Sequence, residues 1–189
     1  QFEGYALQSV TRQMKVRNFE DIAAITALAR PGPLNSGGTT EYIKRHTGAA
    51  SVEYLHPLTE EITKVTNGVV VYQEQVMMIG RDVGKLTWED VSSLRKAMSQ
   101  SLGTEFFDTY FEKFKAGAKE HGIDEDKARH IWDQINTMAS WAFNRSHAVA
   151  YGMVSYWCCV IKSRFPLEFA AACLRNVKDD EQGVRLLRE

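Results

Sequence analysis

The stretch that decides the fold runs from Ala142 to Ile161. It opens with a dense polar knot, Ala142-Phe143-Asn144-Arg145-Ser146-His147. The longest uncharged run in the chain follows: Ala148-Val149-Ala150-Tyr151-Gly152-Met153-Val154-Ser155-Tyr156-Trp157-Cys158-Cys159-Val160-Ile161. That run has no polar face wide enough for a surface helix, which predicts a central helix encircled by the others. Ser146 is placed to cap it. The first free amides, the positive end of the helix dipole, Asn144 and Arg145 would then converge on one spot, and such a spot suits a phosphate. In a plainer reading the same side chains only satisfy the first donors of a buried helix. Geometry alone leaves both open.

The 189 residues are 44% hydrophobic and 11% aromatic, enough to bury a sizeable core and to exclude a disordered chain. One or two compact subdomains are expected. Twenty-three Lys and Arg face 24 Asp and Glu, so no global basic field gathers nucleic acid, and any anion binding must be local. Cys158, Cys159 and Cys173 have no metal-ligand spacing and read as reduced packing residues of a cytoplasmic protein. The uncharged run is shorter than the roughly 20 residues that span a bilayer, and no secretory signal opens the chain, so no membrane association is expected. A chain beginning Gln1-Phe2-Glu3-Gly4 without Met reads as part of something longer.

Taken in order, the chain reads as mainly α, an irregular multi-helix domain with at most one short strand or hairpin. Residues 1–66 form an N-terminal helical part and 67–189 a second. Leu7, Val10 and Met14 recur at helical spacing, and Asn18 with Asp21 caps a second helix carrying Phe19, Ile22, Ile25 and Leu28. Pro31-Gly32-Pro33 is expected to stop that helix and hold Arg30 on a rigid loop. Val69-Val70-Val71 is the one candidate strand. Gly80, Gly84 and Lys85 do not make a P-loop, because the glycines are too close and Leu86 stands where Ser or Thr is needed. Thr87 to Asp90 forms a capping box, and Phe106, Phe107, Tyr110, Phe111 and Phe114 give one long helix a wide apolar stripe. Asp124 caps the helix that leads to Trp141.

Several segments resemble one family. Phe143-Asn144-Arg145-Ser146-His147-Ala148 is similar to the Phe-Asn-Lys-Ser-His-Ala segment of the alpha subunits of bacterial replicative DNA polymerase III, the C family. Phe19-Glu20-Asp21-Ile22 leading to Ala27-Leu28-Ala29-Arg30-Pro31-Gly32-Pro33-Leu34 resembles the family's segment ending in Arg-Pro-Gly-Pro. Tyr72-Gln73-Glu74-Gln75-Val76-Met77, Leu94-Arg95-Lys96-Ala97-Met98 and the stretch from Lys162 through Phe165-Pro166-Leu167-Glu168-Phe169 to Ala171-Ala172 resemble it as well.

The resemblance implies a fingers region that binds the incoming deoxynucleoside triphosphate and closes over the primer-template. The catalytic carboxylates and their Mg2+ ions would sit in a palm domain upstream, with no catalytic residue and no metal ligand in this chain. Arg95 and Arg145 are the first candidates for the triphosphate, since guanidinium forks match phosphate oxygens. Lys96 and Arg30 come next. Asn144, Ser146 and His147 would orient phosphates or the helix end, and Tyr72, Gln73 and Gln75 would shape the pocket around sugar and base. The implied partners are primer-template DNA, dNTP, the palm and other domains of the same polymerase, and the sliding clamp and clamp loader through regions outside this chain.

Two departures stand out. Arg145 replaces the more usual Lys, and Ser99-Gln100-Ser101 stands where the family usually has Gly-Lys-Lys. The alternatives from other classes are a helical protein-protein interaction module and a non-catalytic phosphate-binding regulator.

Overall fold

The computed structural model describes residues 2, 4–100, 102–177 and 183–184. Ser101, one of the two positions that depart from the family's lysines, lies outside the described residues. Twelve α-helices follow one another among the described residues: α1 (Tyr5–Met14), α2 (Phe19–Leu28), α3 (Pro31–Asn35), α4 (Gly38–Thr47), α5 (Glu60–Thr63), α6 (Gln73–Asp82), α7 (Trp88–Gln100), α8 (Thr104–Asp108), α9 (Phe111–Glu120), α10 (Glu125–Ala139), α11 (Arg145–Arg164) and α12 (Pro166–Arg175). No strand occurs among them, so the fold is mainly α. A single parallel bridge joins Tyr72 to Phe143.

The helix starts follow local chemistry. Asn18 Oδ1 accepts the Asp21 N–H at 3.1 Å while Asp21 returns a carboxylate to the Asn18 N–H, a complete capping box. Thr87 and Asp90 do the same for α7, and Asp124 accepts the Lys127 N–H at 2.8 Å to start α10. Pro31 does not simply stop α2. It is the first residue of α3, with Arg30 as N-cap, because a proline's fixed φ and missing N–H suit the first helical position. The aromatic stripe is likewise two helices rather than one. Thr109 and Tyr110 bond back over three residues between α8 and α9.

The chain divides into two compact units, Gln1–Val149 and Ala150–Glu189. The first holds two apolar clusters. One is built from α6 to α10 around the fully buried Trp132, whose ring meets Phe107, Phe111 and Phe114 at centroid distances of 6.3, 6.3 and 4.8 Å. Its indole N–H donates to Asp108 at 3.2 Å, so the large ring is buried without an orphan donor. The other cluster joins Val10 and Met14 of α1, the inner face of α2 and Tyr42 of α4 to Val69, Val71, Tyr72, Trp141 and Ala148. Val69-Val70-Val71 runs extended but pairs with no strand. Its alternation serves packing: Val70 enters the first cluster while Val69 and Val71 enter the second.

The second unit overturns the reading of the uncharged run as an encircled helix. The run is helical, as part of α11, yet Tyr151, Val154, Trp157 and Ile161 are exposed, and Trp157 is 55% exposed. Cys158 and Cys159 are exposed rather than packed, with Cys173 half-buried, and all three are free thiols. Apolar composition states that a helix has a cover but not which segment supplies it. Among the described residues of that unit, α12 has no buried residue of its own. No helix among the described residues is long and apolar enough to cross a membrane.

Candidate functional site

The polar knot is held at the junction of α6 and α11. The Phe143 N–H donates to Val71 O at 3.0 Å, and the Gln73 N–H donates to Phe143 O at 2.9 Å. These two bonds keep Phe143 extended, so α11 begins immediately after Asn144. Asn144, not Ser146, is therefore the cap. Its Oδ1 accepts the His147 N–H at 2.8 Å and the Ser146 hydroxyl at 2.7 Å.

A residue missing from the sequence-based candidates completes the helix end. Both oxygens of Glu74 accept the Arg145 N–H, at 3.2 and 3.0 Å, and Oε1 also accepts from Asn144 Nδ2 at 3.1 Å. A carboxylate thus already sits on the first free amide of α11, where the positive end of the helix dipole favours it. Glu74 lies in the row Tyr72-Gln73-Glu74-Gln75, and that density of hydrogen-bonding side chains was its one signal in the sequence. Its target, 71 residues further along, left none.

Arg145 projects from this junction. Its Nη2 reaches both oxygens of Glu20, at 3.3 and 3.2 Å, and its guanidinium lies 5.7 Å from the Tyr72 ring centroid. Tyr72 itself is buried, with no hydrogen-bond partner for its hydroxyl among the described residues. Burial, more than the neighbouring Tyr42 and Glu20, pushes that phenol's pKa well up, so it stays neutral beneath the cation.

The remaining candidates fall into three groups. Ser146 and His147 share the knot, and the His147 ring meets Phe143 edge-on at 5.2 Å. Arg30 is spent on the backbone: Nε donates to Ala27 O and Nη2 to Trp141 O, each at 2.9 Å, and the guanidinium stacks 4.1 Å over the Phe143 ring. Its burial lowers its pKa from the ordinary value.

Gln75 is also turned inward. Its oxygen accepts the N–H groups of Val71 and Tyr72, and its amide donates to Ile62 O and Thr66 Oγ1. Gln73 is buried as well.

Arg95 and Lys96 stand apart from this cluster on α7. Both are exposed, and among the described residues neither side chain makes a hydrogen bond or ion pair. Arg95 follows Trp88 by two helical turns on the same side of α7. Trp88 and Glu74 line one cavity of about 170 Å³ together with Met77, Met78 and Arg81. The arrangement therefore offers three guanidinium or ammonium groups at the surface, Arg145, Arg95 and Lys96. Among the described residues no group of three or more His, Cys, Asp or Glu is set to hold a metal ion.

Residues 1–122 match the family described as the bacterial DNA polymerase III alpha subunit finger domain. Over its full length the chain is 40% identical to the DNA polymerase III subunit alpha of Aquifex aeolicus (strain VF5), of which it covers 16%. It is 38% identical to that of Chlamydia muridarum (strain MoPn / Nigg), aligning over 100% of the chain and 15% of the relative. With that of Mycobacterium tuberculosis (strain ATCC 25618 / H37Rv) the identity is 36%, over 96% of the chain and 16% of the relative. The chain thus spans about one sixth of the length of these relatives, and from its amino terminus it belongs to the bacterial DNA polymerase III alpha subunit finger domain family.

Proposed function

We propose that the parent polypeptide is a DNA-directed DNA polymerase of the replicative kind, and that this chain, as its fingers, presents cations to the triphosphate of the incoming dNTP and closes over the primer-template. The observation that carries the reading is Arg145. Its backbone is held by Glu74 and the Asn144 cap, while its side chain is 43% exposed and, among the described residues, hydrogen-bonds a partner through Nη2 alone. Such a group has a fixed base and an open fork, the properties needed to meet phosphate oxygens as charge builds on them. Arg95 and Lys96 add exposed positive charge from α7.

In this reading the reaction is nucleotidyl transfer, with the primer's 3′ hydroxyl attacking the α-phosphate and pyrophosphate leaving. Mg2+ would be held by a palm domain outside this chain, as the resemblance implies; among the described residues no group of three or more His, Cys, Asp or Glu is set to hold a metal ion, and no step is assigned to the metal. The other partners are primer-template DNA and the remaining domains of the polymerase, with clamp and clamp loader reached through other regions, in the bacterial cytoplasm.

The test is Arg145→Ala in the full-length parent enzyme. Loss of a contact tightened in the transition state is expected to cost about 2 to 4 kcal/mol in kcat/KM for dNTP while primer-template affinity is kept. Unchanged kinetics would reduce Arg145 to a structural residue of the α6–α11 junction. An equal loss of DNA affinity would move it to the DNA channel.

A further inference from the structure

Two carboxylates address Arg145, and they do different things. Glu74 takes the backbone N–H and the Asn144 amide, fixing where the residue stands. Glu20 takes the side chain. It is the second residue of α2, so its charge is also favoured by the amino-terminal end of that helix and does not depend on Arg145 for compensation.

The contact between Glu20 and Arg145 is weak by construction. One amino group is shared between both carboxylate oxygens at 3.3 and 3.2 Å, the parallel two-nitrogen fork is not formed, and the side chains are 43% and 46% exposed. Half-exposed pairs of this kind hold a geometry at little free-energy gain and are screened by salt. A triphosphate offers more charge and several oxygens spaced for the whole fork.

We infer that Glu20 is an internal stand-in for the nucleotide's phosphate: it holds the Arg145 guanidinium over Tyr72 in the nucleotide-free enzyme and gives it up when the triphosphate arrives. The contact is then a gate on binding. It keeps the cation extended and ordered, and it subtracts the same small free energy from the affinity of every anion that must displace it. This inference rests on the proposed role of Arg145 and adds to it the residue that opposes nucleotide binding.

The experiment uses the full-length parent polymerase on a primer-template, with dNTP KM measured for Glu20→Gln, Glu20→Asp, Arg145→Ala and the Glu20→Gln/Arg145→Ala double variant. Glu20→Gln removes the charge at constant shape. Glu20→Asp keeps charge at the start of α2 but shortens the reach toward Arg145. Each single Glu20 variant is expected to lower KM by about two- to five-fold, the range set by a half-exposed ion pair. The gain should shrink as salt is raised and should vanish in the double variant. A KM that is unchanged or raised in both Glu20 variants, while Arg145→Ala alone raises it, overturns the gate and leaves the proposed function standing. A KM lowered by Glu20→Gln equally with and without Arg145 also overturns it, since the effect would then not pass through that guanidinium. A KM untouched by Arg145→Ala removes the proposed role of Arg145 and the gate with it.

Discussion

Gly117 of α9 lies directly against the carbonyl of Gly84: a β-carbon built on Gly117 would fall 2.0 Å from Gly84 O. The reverse position is just as tight, since a β-carbon on Gly84 would meet the Phe114 ring at 2.1 Å. The glycine at 84, which superficially suggests a phosphate-binding loop, therefore serves the close approach of two backbone segments. Helix propensity alone predicts that Gly117→Ala stabilises α9 by about 1 kcal/mol. The clash is with backbone, which has no rotamer to yield, so overpacking wins and a net loss of about 1 to 3 kcal/mol is expected. The urea midpoint of the chain measures it, and a midpoint at or above that of the unaltered chain would show that α9 slides at little cost.

Asp90 predicts an acid-sensitive element. Lys113 Nζ donates to its Oδ1 at 2.7 Å, and the Thr87 hydroxyl and N–H donate to its Oδ2 at 2.8 and 3.2 Å. The lysine bond first, then the threonine bonds, hold the carboxyl below its ordinary pKa against the opposing effect of burial. A lowered folded pKa means stabilisation that is present above the unfolded value of about 3.9 and is lost as pH falls through the folded one. Asp90→Asn is accordingly expected to cost about 1 kcal/mol at pH 7 through the weakened cap of α7. The difference should close as the pH is taken below about 4. Denaturant melts of both proteins at pH 7, 5 and 3 check this, and a gap of constant size at pH 3 would show that the charge of Asp90 contributes nothing.

What could be read from the sequence was mostly what is local in the chain. The boxes at Asn18 and Asp21 and at Thr87 and Asp90, and the cap at Asp124, each span three residues, and all three start helices where expected. The family was legible too, because its motifs are contiguous. The site was less so. Glu74 and Gln75 are neighbours of similar chemistry, yet one caps a helix 71 residues away while the other is consumed inside the core by Ile62, Thr66, Val71 and Tyr72. Spacing cannot separate them, since the difference lies in which way each side chain leaves the first turn of α6. The cover of α11 failed for a related reason: an apolar run records that burial is required, and the burial itself depends on distant segments.

Arg30 gives the last prediction, because two roles for it make opposite demands on charge and shape. As a phosphate ligand it would need a positive charge near the nucleotide, and Lys would keep much of its effect. As placed, it donates to Ala27 O and Trp141 O and stacks on Phe143, tying the end of α2 to the segment that precedes α11. Two carbonyls in different directions and a flat contact with a ring require the planar fork, which an ammonium group cannot supply. Arg30→Lys is therefore expected to behave almost like Arg30→Ala, each destabilising the chain by about 1 to 3 kcal/mol through unsatisfied carbonyls and lost stacking. Because the group is partly buried, the loss should change little between low and high salt. Thermal or denaturant unfolding of the two variants at two salt concentrations decides between the roles. Full stability in Arg30→Lys, joined to a dNTP KM in the parent enzyme that only Arg30→Ala raises, would return Arg30 to the triphosphate and make its backbone contacts incidental.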